Sequence, residues 1–194
     1  IFSMWLKTEA AETAKPGQFI SMYTNDGCKL LPRPISICEI DREEGMLRVV
    51  YRVTGENTGT EQFSKMEAGD TVPVIGPLGN GFPVEKAKGK KVFLMGGGIG
   101  VPPILELAKA MECEKKQIVV GYRDAQTFLK EEFEENGELV VLDYKTDRVR
   151  KAEELREEYH AQLDYYAEAL EQLLKKPVKE KIIYSFTLQE EIRC

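Results

Sequence analysis

All 16 glycines of this 194-residue chain lie at or before Gly137, and none falls in the last 57 residues. Eight of the nine prolines share that bias, while five of the eight tyrosines lie beyond Gly137. Glycine and proline punctuate turns. A chain with this distribution reads as short strands and tight turns first, then as uninterrupted helix and strand. The change falls near residue 141, where Leu139–Leu142 crosses as one apolar run with no Pro/Gly/Ser linker. Boundaries between domains ordinarily lie in exposed polar linkers, so this is an unusual join.

Composition narrows the class. Hydrophobic residues at 42% and charged residues at 31% are an ordinary globular balance, sufficient for a real core. No run reaches the roughly 18 apolar residues of a membrane span, and no charged segment precedes an apolar stretch as in a signal peptide. The expectation is a cytoplasmic protein without a membrane partner. A net charge of −6 argues against a nucleic-acid partner held by a general basic surface. Cys28, Cys38, Cys113 and Cys194 show neither C-x2-C nor C-x4-C spacing, so no local metal loop is expected.

Residues 1–85 alternate strand-like runs with turn residues. The runs are Ile1–Lys7, Gln18–Tyr23, Pro34–Ile40, Leu47–Val53 and Thr71–Ile75, a spacing that suggests a small antiparallel barrel. Two segments carry candidate chemistry. In Leu31-Pro32-Arg33-Pro34-Ile35-Ser36 the prolines hold Arg33 extended, presenting a fork suited to phosphate oxygens. The alternative is a proline-flanked edge strand with a solvated arginine. The second is Tyr51-Arg52-Val53 followed by Gly55–Thr60. Gly59-Thr60 ahead of a short helix (61–66) can offer backbone N–H groups to an anion, or can be a plain loop with Thr60 as the helix cap.

Residues 86–141 read as the start of an α/β unit. The buried-type run Val92–Met95 ends in Gly96-Gly97-Gly98-Ile99-Gly100, and a helical pattern follows at Ile104, Leu107, Ala108 and Met111. A further strand, Gln117–Tyr122, closes the βαβ unit. Strand, glycine turn and helix is the context of a nucleotide cradle. The same glycines also permit close packing of helix on strand.

The ordered set R-P-I-S (Arg33–Ser36), Y-R (Tyr51-Arg52), G-T (Gly59-Thr60), G-P-L-G-N-G-F (Gly76–Phe82) and G-G-G-I-G-V-P-P (Gly96–Pro103) resembles the ferredoxin–NADP reductase superfamily, nearest to its dihydroorotate dehydrogenase B electron-transfer subunits. The resemblance implies a β + α/β fold: an antiparallel FAD-binding barrel, a truncated nucleotide-binding α/β domain (86–141) and a helical tail (142–194). It implies an oxidoreductase module passing electrons between FAD and a nicotinamide nucleotide, NAD(H). Arg33, Pro34, Ile35 and Ser36 would contact the flavin and its pyrophosphate. Val50, Tyr51 and Arg52 would line the flavin, and Gly59 and Thr60 would hold phosphate. Gly96, Gly97, Gly98 and Gly100 would face the nicotinamide nucleotide. The implied partner is the FMN-containing dihydroorotate dehydrogenase catalytic subunit. The family's cysteine-rich [2Fe–2S] loop has no counterpart here. That absence and the shortened α/β half imply an impaired electron route.

The tail opens with Asp143-Tyr144-Lys145, then shows a helical stripe at Leu155, Tyr159, Leu163, Tyr166, Leu170, Leu173 and Leu174 and a strand over 181–188. An Asp-x-Lys at a strand end is a half-motif of Mg2+-dependent nucleases or a simple surface turn. Together with Q-L-D-Y-Y-A-E-A-L (162–170) and K-P-V-K-E-K-I-I-Y (176–184), it resembles the C-terminal nuclease domain of RecB-type helicase/nuclease subunits. That resemblance implies Asp143 as a metal ligand, Lys145 as catalytic, and Gln162 and Tyr166 in a helix motif. A lone carboxylate is a poor Mg2+ site, so no nuclease activity is expected of the chain by itself. The whole reads as a mosaic joined near residue 141, with a nuclease fragment as the alternative function.

Overall fold

The computed structural model describes residues 1–27, 30–122 and 127–143. Beyond these it describes residues 152, 153, 156, 157, 159, 160, 164, 168, 182–185 and 190–193. Residues 1–143 form one compact unit and 144–194 a second.

In the first unit, five antiparallel strands curl around a core in the order β1-β4-β3-β2-β5: β1 (Phe2–Lys7), β2 (Phe19–Met22), β3 (Arg33–Asp41), β4 (Met46–Tyr51) and β5 (Val74–Leu78). Alternation along each strand sends Ile20, Met22, Ile37, Leu47, Val49 and Tyr51 inward. Two short helices close the barrel. Helix α1 (Ala10–Thr13) contributes Ala11, and α2 (Gly59–Phe63) contributes Phe63. The outer strands β1 and β5 do not pair with each other. A groove of about 760 Å3, lined by Phe2, Trp5, Phe63, Met66 and Val74 among others, runs between them.

The sequence places the fifth strand at Thr71–Ile75, but β5 begins at Val74. Pro73 has no N–H to give to a ladder, so pairing with β2 starts after it, with Met22 opposite Val74. The sequence also starts the short helix at Glu61. The helix begins two residues earlier, and its cap is Thr58, whose side chain accepts from Glu61 N.

The second half of this unit is a parallel sheet, β6-β7-β8, formed by β6 (Lys91–Gly97), β7 (Lys115–Tyr122) and β8 (Glu138–Asp143). Helix α3 (Pro102–Ala110) connects β6 to β7, and α4 (Lys130–Glu134) precedes β8. Leu105, Leu107, Ala108, Ile118, Val120 and Phe133 form the core of this half. Cys38 of β3 and Val50 of β4 belong to the same cluster. The pairing of β3 with β4 shifts register between Ile37 and Glu39. Ile37 and Cys38, adjacent in sequence, are both buried and belong to the two different cores.

Polar contacts reinforce that seam. Glu39 accepts from Arg48 and from Lys109 of α3, and Arg48 also pairs with Glu132 of α4 at 3.2 Å. The Glu106 carboxylate, on α3, accepts from Ile40 N at 2.9 Å. Burial raises the Glu39 pKa, but the hydrogen bonds from Lys109 and Arg48 outweigh it and leave the group below the usual carboxylate range. At Glu106 burial dominates and the carboxyl is held above that range.

In the second unit, the described residues between 152 and 168 are helical, and Tyr159 of the expected stripe is buried. The other stripe residues lie outside the described residues. The strand expected over 181–188 is β9 (Ile182–Ser185), and it pairs antiparallel with β10 (Glu190–Arg193), which the sequence reading did not anticipate.

Candidate functional site

Arg33 opens β3, where Met22 is its cross-strand partner. Strand alternation puts Arg33 and Ile35 on one face and Pro34 and Ser36 on the other. Pro34 and Ser36 are exposed and Ile35 is half-buried. The Arg33 guanidinium donates from Nη1 to Leu31 O at 3.0 Å. Its stem crosses the start of α2: a Cβ on Gly59 would lie 3.1 Å from Arg33 Nε and 3.1 Å from Thr24 Cγ2. A side chain at this position would press on the arginine stem, which would have to give by a few tenths of an ångström. The structure therefore brings Arg33, Gly59 and Thr60 together, although 26 residues separate Arg33 from Gly59 in sequence.

The loop leading to α2 is held by its own threonines. Thr58 Oγ1 donates to Gly55 O at 2.8 Å and accepts from Glu61 N at 3.2 Å. Thr60 Oγ1 accepts from Thr54 N at 3.3 Å. Among the described residues, the backbone N–H groups of Gly59 and Thr60 have no protein acceptor. An arginine fork beside two unpaired N–H groups is a donor set suited to an anionic diphosphate. Beside it, Tyr23, Thr24, Asn25, Gln62 and Thr71 line a cavity of about 300 Å3.

Val50, Tyr51 and Arg52 diverge. Val50 is in the core of the parallel-sheet half and Tyr51 in the barrel core, while Arg52 is exposed. The Tyr51 ring meets Phe63 edge-on at 6.2 Å and stacks on Phe2 at 6.0 Å. Burial pushes its hydroxyl up to about 12. It therefore stays neutral at ordinary pH.

The glycine turn divides by role. A Cβ on Gly96 would meet Gly100 O and Ile104 Cγ1 at 3.0 Å, so Gly96 lets helix α3 sit against β6. Gly98 adopts φ +54° and Gly100 faces open space, with nothing within 4 Å of an added Cβ. Gly97, at the end of β6, is exposed. Pro102 and Pro103 occupy the first positions of α3 and carry no N–H. The helix start thus lacks the donors that usually cradle a diphosphate. The open part of the turn suits a flat group laid against bare backbone.

Asp143 ends β8, opposite Tyr122 of β7. Lys145, Gln162 and Tyr166 lie outside the described residues. No cluster of metal-ligating side chains occurs among the described residues, and none of their helices is long and apolar enough to cross a membrane.

Sequence reading missed Thr54 and Thr58. Thr58-Gly59-Thr60-Glu61 has the T-x-x-E form of a capping box, which marks Thr58 as the cap. Thr54 carries no local signal, because its role is set by the fold of the loop.

The chain is 43% identical over 135 residues to the dihydroorotate dehydrogenase B (NAD(+)) electron transfer subunit of Bacillus caldolyticus, covering 67% of this chain and 52% of that one. It is 34% identical over 186 residues to the subunit of the same name from Caldanaerobacter subterraneus subsp. tengcongensis, covering 92% of this chain and 72% of that one. It spans about half the length of most of the curated relatives it matches. The solved structure of an NADH-dependent reduced ferredoxin-NADP oxidoreductase superposes with a TM-score of 0.65 at 30% identity, covering 77% of this chain and 59% of that one. A Plasmodium falciparum ferredoxin-NADP+ reductase shares the fold alone: its TM-score is 0.60 at 14% identity, over 84% of this chain and 73% of that one. Residues 129–191 match the model of the PD-(D/E)XK nuclease superfamily. That match begins ahead of α4 and takes in β8, both part of the first unit.

Proposed function

The chain belongs to the family of dihydroorotate dehydrogenase B electron transfer subunits, and from that premise we propose that it is a FAD-binding oxidoreductase module moving electrons between the flavin and a nicotinamide nucleotide. The observation that carries the reading is the Arg33 side chain laid across Gly59, beside the unpaired N–H groups of Gly59 and Thr60. These groups hold the FAD diphosphate, and Ser36, exposed on β3, offers a hydroxyl to the flavin. Of the three residues expected to line the flavin, Val50 and Tyr51 are buried in the two separate cores, and Arg52, exposed, is the one placed to reach it. Bound flavin supplies the redox chemistry, and the protein supplies position. Gly97, Gly98 and Gly100 form the bare surface on which NAD(H) lies. The partner is the catalytic subunit of dihydroorotate dehydrogenase, in the cytoplasm.

The test is a visible spectrum after incubation with FAD and desalting. Retained flavin bands are expected, bleached by NADH. Arg33→Ala with Ser36→Ala is expected to weaken FAD binding by about 100-fold or more, two charge-assisted or polar contacts being lost. Unchanged affinity in that double variant would overturn the site assignment.

The family-model match over residues 129–191 favours a second reading, a nuclease-type segment with Asp143 and Lys145 at its centre. Metal-dependent DNA cleavage abolished by Asp143→Ala would support it. Absence of cleavage with Mg2+ or Mn2+ would remove it.

A further inference from the structure

The hydroxyl of Thr60 can be followed proton by proton. Thr60 is 5% exposed, and its Oγ1 lies 3.1 Å from Thr58 Oγ1 and 3.3 Å from Thr54 Oγ1, besides accepting from Thr54 N at 3.3 Å. A threonine hydroxyl has one proton to donate and two lone pairs. The Thr58 proton goes to Gly55 O at 2.8 Å. In the contact between Thr58 and Thr60 the donor is therefore Thr60. Its two lone pairs then receive the Thr54 N–H and the Thr54 hydroxyl. Every hydrogen-bonding capacity of the Thr60 side chain is used inside the loop.

We infer that Thr60 is a positioning residue rather than a ligand of the phosphate. Its side chain is the hub that locks residues 54–60, and what this stretch presents to a phosphate is backbone N–H. A phosphate diester oxygen only accepts hydrogen bonds, and Thr60 Oγ1 has no proton left to give. Thr58 is the second half of the same device. It ties the hub to Gly55 on one side and to the first turn of α2 on the other. This inference rests on the FAD reading only where it speaks of phosphate; the locking of the loop stands on the hydrogen bonds alone.

The experiment combines FAD titration with amide hydrogen exchange on the FAD-free full chain, using Thr60→Val, Thr60→Ser, Thr58→Val and the double valine variant. Loss of a buried hydrogen bond predicts that Thr60→Val weakens FAD about tenfold, with Thr58→Val at least as damaging. The effects are expected to be non-additive, so that Thr60→Val costs little further in the Thr58→Val background. Thr60→Ser, which keeps the hydroxyl, is expected to restore binding. In FAD-free protein, exchange at Thr54 N and Glu61 N is expected to accelerate in the valine variants while the amides of β3 and β4 stay protected. A Thr60→Val effect that persists undiminished beside Thr58→Val, with unchanged exchange at Thr54, would show that the hydroxyl touches the ligand, and would overturn the inference. If the wild-type chain retains no flavin, the FAD reading fails by itself. The exchange arm then decides, and unchanged exchange at Thr54 in Thr60→Val refutes the hub.

Discussion

Gly96 and Gly100 sit four residues apart in one glycine-rich turn, and the structure gives them different work. Alanine at Gly96 would place a methyl 3.0 Å from Gly100 O, 3.0 Å from Ile104 Cγ1 and 3.2 Å from Val101 Cα. Two of these three neighbours are backbone atoms, so relief requires the start of α3 to move off β6 by a few tenths of an ångström. Overpacking of this kind costs about 1–3 kcal/mol. Replacing glycine returns about 0.4–1 kcal/mol through the unfolded chain where the backbone is compatible. The net is a destabilisation of up to about 2.6 kcal/mol, about 1.3 kcal/mol at the midpoints, or a fall in Tm of about 3–5 °C for a chain of this size. Alanine at Gly100 meets nothing within 4 Å. Its Tm is expected to hold or rise slightly, while any NADH binding at the turn weakens. Thermal unfolding of the ligand-free full chain by far-UV circular dichroism separates the two. Equal losses of Tm in both variants, or a loss confined to Gly100→Ala, would refute the assignment of Gly96 to packing.

The two seam carboxylates titrate in opposite senses. Glu106 is held above its ordinary value of 4.5, so its stabilising contribution is present below that value and lost as pH rises through the folded pKa. Glu106→Gln is therefore expected to become more stable relative to wild type as pH climbs from about 4 to 8; a pH-independent difference in urea unfolding would contradict this. Glu39 is held below 4.5, so its contribution is present above that value and lost as pH falls. Glu39→Gln is expected to cost about 1–3 kcal/mol at pH 7, since Arg48 and Lys109 lose a charged acceptor. That penalty should shrink in acid, and one that grows there would count against the ion-pair account. The Cys38 thiol is fully buried, and burial pushes it up to about 12. Iodoacetamide at pH 8 is expected to modify the partly exposed Cys113 and leave Cys38 intact until unfolding. Mass mapping of the labelled native protein would show the reverse if Cys38 were accessible.

Much of the first unit was legible because its signals are local. Alternating apolar residues mark β1 to β4, and a continuous apolar run before glycines marks β6. The fifth strand slipped because Thr71 and Val72 favour a strand while Pro73 denies it a donor. Helices α1 and α4, at four and five residues, are too short for a helical period to declare itself. The site was legible as motifs but not as an assembly. Pro32-Arg33-Pro34 and Gly59-Thr60 each have an ordinary structural explanation, and only the fold lays one across the other. The Gly96–Gly100 turn was read as a unit, yet the division between its packing glycine and its open glycine depends on where α3 returns. The threonine hub is a matter of which hydroxyl holds which proton, and residue spacing does not encode that.

Because β3 and β4 feed one core through Ile37 and Tyr51 and another through Cys38 and Val50, neither half of residues 1–143 can be lifted out intact. An excised barrel would carry a raw apolar scar where α3 had been, and an excised parallel sheet would lose part of its floor. Shuffling of gene segments, or deliberate grafting onto another scaffold, would have to carry the pair together.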